Sequence, residues 1–294
     1  MKRNSTVKVL LVLLILLTVN NGFSQSNKNI VTTGPENGAL FIVGGGSMSE
    51  ELWDEFKKLM GGADKHLVVS PTAISSENYS KTFLEEYKKS FLDKGFTNVT
   101  VLHTRDRSEA NSEAFTNILA NAAGVWFTGG RQWRYADSYL NTKTHDALKR
   151  VLERGGVIGG SSAGATIQGS YLARGDSKTN LIMMGDHEEG LSFIKNIAID
   201  QHVLARNRQN DMFEILDNKP ELLGIGIDES TAIIVKKNTF KVIGKSYVAI
   251  YDGTRWSKER DTIYNLPKGS REYYWLKSGD EYNLETRAVV TNKN

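Results

Sequence analysis

Five short apolar runs constrain what this 294-residue chain folds into: "ALFIV" from Ala39, "HLVVS" from His66, "NVTVL" from Asn98, "GVWFT" from Gly124 and "GVIGGSS" from Gly156. Helical patterns lie between them, around Tyr79 to Lys94, Ser112 to Asn121 and Thr142 to Arg154. Parallel neighbours in a sheet need long crossover connections, which helices supply, so this alternation predicts an α/β fold with a mainly parallel sheet. The first helix is marked by Ser47 or Ser49 as cap, Glu50 and Glu51 in the first turn, and Gly61 as its stop. Leu52, Phe56 and Leu59 fall on one face of it. Farther on come "NIAIDQH" (196–202), a helix through "DMFEIL", and "LLGIGIDESTAIIV" (222–235). Ligands of such sheets gather beyond the carboxyl ends of the strands, which makes the small-residue turns there the places to search.

The N-terminus is of another kind. Lys2, Arg3 and Lys8 precede an apolar run, Val9 to Val19, that is too short for a membrane span and fits a secretory leader cleaved near Gln25. The expected organisation is therefore a signal peptide over 1–25 and one catalytic α/β domain over 26–294. A short β-rich C-terminal extension begins at about 255 and holds Trp256, Tyr273, Tyr274 and Trp275. The leader carries three of the 37 basic residues and none of the acidic ones, leaving 34 charges of each sign. A neutral mature protein gives no reason to expect a nucleic acid or an anionic membrane as partner. With no cysteine, a disulfide framework, a thiolate metal site, a cysteine nucleophile and a lipid anchor on cysteine are all excluded.

Among the motifs, "GGGSMS" at Gly44 follows a strand and opens a helix, but the third glycine of a dinucleotide turn is replaced by Ser49. It reads as a tight structural turn, and no cofactor is expected. "GSSAG" (160–164) is the pattern of a nucleophile elbow with Ser162 in the serine position. The turn from strand to helix forces strained backbone angles on that serine, and only small neighbours let the chain pass so closely. The Ala163 N–H would then face a developing oxyanion, with Gly129 or Gly130 of "FTGGRQW" supplying the second donor. Ser161 reads as a turn or packing residue. A serine nucleophile needs a base, and of five histidines His202 stands out, at a strand's carboxyl end in the polar "DQHVLARNR". His187 is the competitor. For the acid that orients the base, Glu229 after the apolar run "LLGIGI" is preferred to Asp176, with Asp186, Glu188 and Glu189 behind.

"FTGGRQ", "GGSSAGA", "DQHVLARNR" and "GIGIDESTAIIV" occur in the order found in the cyanophycinase-like serine peptidases, relatives of aspartyl dipeptidase, and the chain resembles that family from about Ala39 to Ile250. The resemblance implies a three-layer sandwich of flavodoxin-like or class I glutamine amidotransferase-like type. It implies Ser162 as nucleophile, His202 as base and Glu229 as acid, while aspartyl dipeptidase takes its acid from the segment after the serine, where Asp176 lies. It implies Gln132, Asp200, Gln201, Arg206 and Arg208 as substrate-facing residues, and cleavage of β-aspartyl-arginine polymer to the dipeptide. Two positions depart from the family's pattern. Arg131 stands where "GGDQ" is usual, and an arginine expected shortly after Arg208 is replaced near Asp211.

Two rival readings stay open: an α/β-hydrolase-type esterase, and a secreted binding protein that keeps the fold without catalysis. The esterase lacks an HGGG-type oxyanion loop here, and the order Ser162, His202, Glu229 reverses the last two members of that fold's triad. No pair of histidines has metal-ligand spacing, so no metal is expected. The expected partner is a peptide or isopeptide substrate, and a homodimer is the default assembly.

Overall fold

The computed structural model describes residues 31–75, 79–252, 257–259, 262–264 and 271–290; the expected leader and Trp256 lie outside them. The five apolar runs form β1 (Ala39–Val43), β2 (Leu67–Ser70), β3 (Val99–Val101), β4 (Gly124–Phe127) and β5 (Val157–Ser161). They pair in parallel in the order β1-β5-β4-β2-β3. Every residue of β1, β2 and β4 is buried, as expected of strands covered on both faces.

Side chains alternate between two hydrophobic layers. Phe41, Val43 and Trp126 pack with Leu52 and Phe56 of α1 (Glu50–Leu59) and Phe91 of α2 (Lys81–Leu92). Leu40, Ile42, Val125, Phe127 and Ile158 point the other way. They meet Phe115 of α4 (Glu113–Asn117), Tyr135 and Tyr139 of α5 (Trp133–Tyr139), and Leu148 and Val151 of α6 (Lys143–Glu153). Between α2 and α4 lies the single turn α3 (Arg107–Ala110). Ser49 caps α1, accepting from Leu52 N, which settles the choice between the two serines.

The sheet is larger than the apolar runs predict. β8 (Thr231–Lys236) adds antiparallel to β1, followed by β9 (Thr239–Gly244), β14 (Glu281–Asn283) and β15 (Ala288–Val289), giving nine strands. A second sheet of four strands runs β13-β10-β7-β6, built from β6 (Ile197–Gln201), β7 (Leu223–Ile227), β10 (Tyr247–Asp252) and β13 (Tyr274–Lys277). β11 (Ser257–Glu259) and β12 (Thr262–Tyr264) pair with each other. The C-terminal strands thus join both sheets, and Leu276, Tyr282 and Leu284 are core residues. The apolar run 222–235 divides between the two sheets at a turn over Asp228–Ser230. That turn and the carboxyl ends of β1, β5 and β6 come together at one edge. Two helices complete the described fold, α7 (Ala163–Thr166) after β5 and α8 (Met212–Asn218) after β6.

Candidate active site

Ser162 follows β5 with φ 57 and ψ −113, a backbone conformation that L-residues avoid. The glycines around it make the turn passable: a Cβ on Gly160 would meet Gly164 O at 2.3 Å, and one on Gly164 would meet Phe127 O at 2.1 Å. Ser162 N donates to Val43 O across the sheet, and the side chain stands clear of the core at the head of α7.

His202 follows β6 and also has a positive φ, 55. Its Nε2 lies 2.9 Å from Ser162 Oγ, and its Nδ1 lies 2.5 Å from Glu229 Oε1. Glu229 sits in the turn between β7 and β8, so three separate chain segments meet here. Burial pulls His202 below the ordinary histidine value of 6.5, the Glu229 hydrogen bond opposes this, and Arg206 adds to the lowering. A ring kept neutral has a lone pair on Nε2 for the serine proton while Nδ1–H donates to the carboxylate.

The "GGGS" turn, read from sequence as a structural turn, holds these groups. Gly44 O accepts from His202 N at 2.9 Å, and Gly45 O accepts from Ser230 N at 2.9 Å. A Cβ on Gly45 would fall 2.1 Å from His202 Cε1, and one on Gly46 would fall 2.7 Å from Glu229 Oε2. Asp228, which the sequence reading passed over, fixes the segment after His202. Its Oδ1 accepts from Leu204 N and Ala205 N, and its Oδ2 from Ser246 Oγ at 2.6 Å. Its only sequence signal is a second carboxylate beside Glu229.

Gly129 faces the serine: a Cβ there would lie 3.5 Å from Ser162 Cβ. Among the described residues no acceptor meets the N–H of Gly129, Gly130 or Ala163. Gly130 has φ 138 and abuts Ala73 O. The expected substrate-facing residues are placed more deeply. Gln132 is buried, its Nε2 donating to Ala173 O and Arg174 O at 2.8 and 2.9 Å. Asp200 is buried against Arg174, and Gln201 accepts from Arg208 Nη1 at 3.3 Å. Arg206 is exposed, whereas Arg208 is buried.

The other acids are engaged elsewhere. Asp176 accepts from the N–H groups of Lys178 and Thr179 in its own loop. Asp186 pairs with Ser177 and His187, Glu188 with Lys219, and Glu189 is exposed. His187 bridges Asp137 and Asp186, His145 meets Leu191 O, His66 meets Thr100, and His103 meets Thr72. A cleft of about 680 Å³ lined by Gly38, Glu55, Lys58 and Gly155 lies at the opposite, amino-terminal ends of β1 and β5. Among the described residues no cluster of metal-ligating side chains occurs, and no helix is long and apolar enough to cross a membrane.

A cyanophycinase from Geminocystis herdmanii is 29% identical over 266 residues, covering 84% of this chain and 94% of its own. One from Thermosynechococcus vestitus is 30% identical over 268 residues, covering 86% and 81%. The crystal structure of a peptidase from an acI-B1 Actinobacterium matches the fold with a TM-score of 0.62 at 23% identity, covering 85% of this chain and 98% of that one. A putative peptidase E from Listeria monocytogenes matches with a TM-score of 0.52 at 18% identity, covering 71% and 99%. The fold is thus the flavodoxin-like, glutamine amidotransferase-like α/β sandwich, and the chain is a serine-type peptidase. It belongs to the family described as Peptidase family S51, which matches residues 40–243.

Proposed function

We propose that this peptidase is exported and hydrolyses aspartyl peptide or isopeptide bonds, with Ser162 as nucleophile, His202 as general base and Glu229 as the acid that orients it. The observation that carries this reading is the unbroken line from Glu229 Oε1 through His202 to Ser162 Oγ, with contacts of 2.5 and 2.9 Å. His202 Nε2 takes the hydroxyl proton as Oγ attacks the carbonyl carbon. Ala163 N–H and Gly129 N–H receive the oxyanion; the tetrahedral species collapses, and the departing amine takes the proton back from His202. Water, deprotonated in turn by His202, attacks the acyl-enzyme and regenerates Ser162. The esterase alternative loses ground to family membership.

Aspartate as the carbonyl donor is what the resemblance implies, and it is supported by relatives that are named cyanophycinases. β-Aspartyl-arginine is the reference substrate that the resemblance implies. Export rests on the leader pattern of residues 1–25, and the mature chain would be one catalytic domain from residue 26 onward. The test joins two measurements on the protein lacking residues 1–25: labelling of Ser162 by a fluorophosphonate, and product formation from β-aspartyl and α-aspartyl peptides read by mass spectrometry. Full hydrolysis by Ser162→Ala would overturn the assignment. Retention of the leader sequence in the cell-associated protein would overturn export.

A further inference from the structure

Charge around the site is arranged against a substrate guanidinium. Arg174 is fully buried, with φ 57, and both oxygens of Asp200 accept from its Nε and Nη2 at 2.8 and 2.9 Å. Its Nη2 also reaches Asp211 Oδ2 at 2.5 Å. Burial opposes the charge on Arg174, but Asp200 and then Asp211 hold the guanidinium above its ordinary range. The carboxylates that would attract an arginine side chain are therefore occupied by an arginine of the chain itself. Arg208 lies within electrostatic range of the same pair of carboxylates, and Arg206 adds a further positive charge.

Around Arg131, positive charge stands without a carboxylate partner. Arg131 Nη2 donates to Asp176 O and Thr179 O at 2.5 and 2.6 Å; Arg134 Nη1 donates to Ala73 O at 2.8 Å. Arg105 Nη2 donates to Thr72 O and Ile74 O. All these acceptors are main-chain oxygens, so none cancels a charge, and among the described residues no carboxylate forms an ion pair with any of the three. The Asp176 carboxylate nearby is turned to the N–H groups of its own loop. The Nε atoms of Arg105, Arg131 and Arg134 and the Trp133 indole N–H are buried donors without a hydrogen-bond partner.

Topology puts this cluster at the carboxyl ends of the strands, the edge that carries Ser162. β2 hands its chain to α2 on one face of the sheet and β4 hands its chain to α5 on the other, the arrangement beside which ligands of such sheets bind. Arg131 and Arg134 follow β4; Arg131 N and Arg134 Nη1 both donate to Ala73 O in the loop after β2, while the Arg131 guanidinium is held by the 176–179 loop. β4 is the immediate neighbour of β5, which ends at the nucleophile, and strand spacing is about 4.8 Å. One residue beyond a carbonyl held at Ser162 reaches that far, since an extended residue spans about 3.5 Å before its side chain is counted.

We propose that Arg131 and Arg134, with Arg105 behind them, form a carboxylate-binding subsite, and that the residue joined to the aspartyl unit of the preferred substrate is acidic rather than arginine. This rests on the aspartyl peptidase reading above. Each of these guanidinium groups is anchored at one terminal nitrogen and buried at Nε, so its other terminal nitrogen presents its N–H groups to a carboxylate with little further ordering.

The test measures binding to the Ser162→Ala protein by calorimetry, so that turnover plays no part. The peptides are β-aspartyl-glutamate, β-aspartyl-glutamine and β-aspartyl-arginine. The expected order is glutamate over glutamine by about tenfold, with arginine weakest, and the glutamate advantage shrinks in high salt. Arg131→Gln and Arg134→Gln should each erase that advantage, and Arg131→Lys should keep part of it. Equal binding of all three, tightest binding of the arginine peptide, binding of none, or an advantage that persists in the double glutamine variant would overturn the subsite. Fluorophosphonate labelling of the wild-type protein tests Ser162 separately; an unlabelled serine would sink the nucleophile assignment while the binding order still decided the subsite.

Discussion

His202 Nε2 and Ser162 Oγ meet at 2.9 Å although they follow strands of different sheets, Ser162 coming directly after β5 of the nine-stranded sheet and His202 directly after β6 of the four-stranded one. The link is made by main chain: Ser162 N donates to Val43 O, His202 N to Gly44 O, and these acceptors are the last residue of β1 and the one that follows it. The position of Ser162 is thus set by its backbone, and its side chain is left to meet His202. Ser162→Ala should lose about three or more powers of ten in kcat. Ser162→Gly should be as inactive yet melt at a higher temperature than Ser162→Ala, because φ 57 with ψ −113 costs an L-residue about 1–3 kcal/mol that glycine does not incur. Thermal melts of the two inactive proteins check this, and an alanine variant as stable as the glycine one would refute the strain.

Glu229→Gln should lower kcat by about two to four powers of ten while leaving KM nearly unchanged, since the amide disfavours the tautomer with Nε2 free. Asp176→Asn should cost less than about tenfold, because Asp176 serves the Lys178 and Thr179 N–H groups, which an amide oxygen also serves. Steady-state kinetics of the two variants on one substrate separate them. The reverse ranking would move the acid to the segment after the serine.

The parallel core was legible because strands buried on both faces leave unbroken apolar runs, and Ser162, His202 and Glu229, which the structure brings together, stood out because each lies where such a run ends. The second sheet was not. In "LLGIGIDESTAIIV" the break at Asp228 to Ser230 is readable, but nothing local tells that it turns the chain from one sheet to the other. The ion pair of Arg174 with Asp200 has no local signature either, its partners being 26 residues apart in separate segments. A glycine announces that something passes closely but not what. "GGGS" was therefore readable as a turn, and only the fold shows that His202 and Glu229 pack against it.

That packing makes Gly45 a position at which activity and stability separate. A Cβ there would overlap the His202 ring, with Cε1 at 2.1 Å, and φ 125 strains any other residue. Gly45→Ala should shift the ring off the Ser162 hydroxyl and cut kcat by about a hundredfold, since a misplacement near 1 Å is enough. The fold should survive at a cost of about 1–3 kcal/mol. A crystal structure of the variant should find Nε2 beyond hydrogen-bond reach of Oγ; an undisturbed ring with full activity would show that the turn yields instead.

The acid limb of the pH profile follows from His202, whose burial holds it below 6.5 against the opposing pull of Glu229. Only the neutral ring accepts the serine proton, so kcat/KM should rise with pH through that lowered value and be flat by pH 7. Arg206 pushes the same way as burial, and its side chain is exposed, so Arg206→Ala should move the limb to higher pH by a fraction of a unit. High salt should narrow the difference between the two proteins. Stability carries the same sign. The unfolded chain holds the His202 proton more tightly than the folded one, so this group's contribution is intact above about 6.5 and is lost as pH falls below it. Profiles of kcat/KM for wild type and Arg206→Ala over pH 4.5 to 8 (about one unit beyond the limb on either side) decide the matter, and a limb that stays in place or moves to lower pH in the variant would sink it.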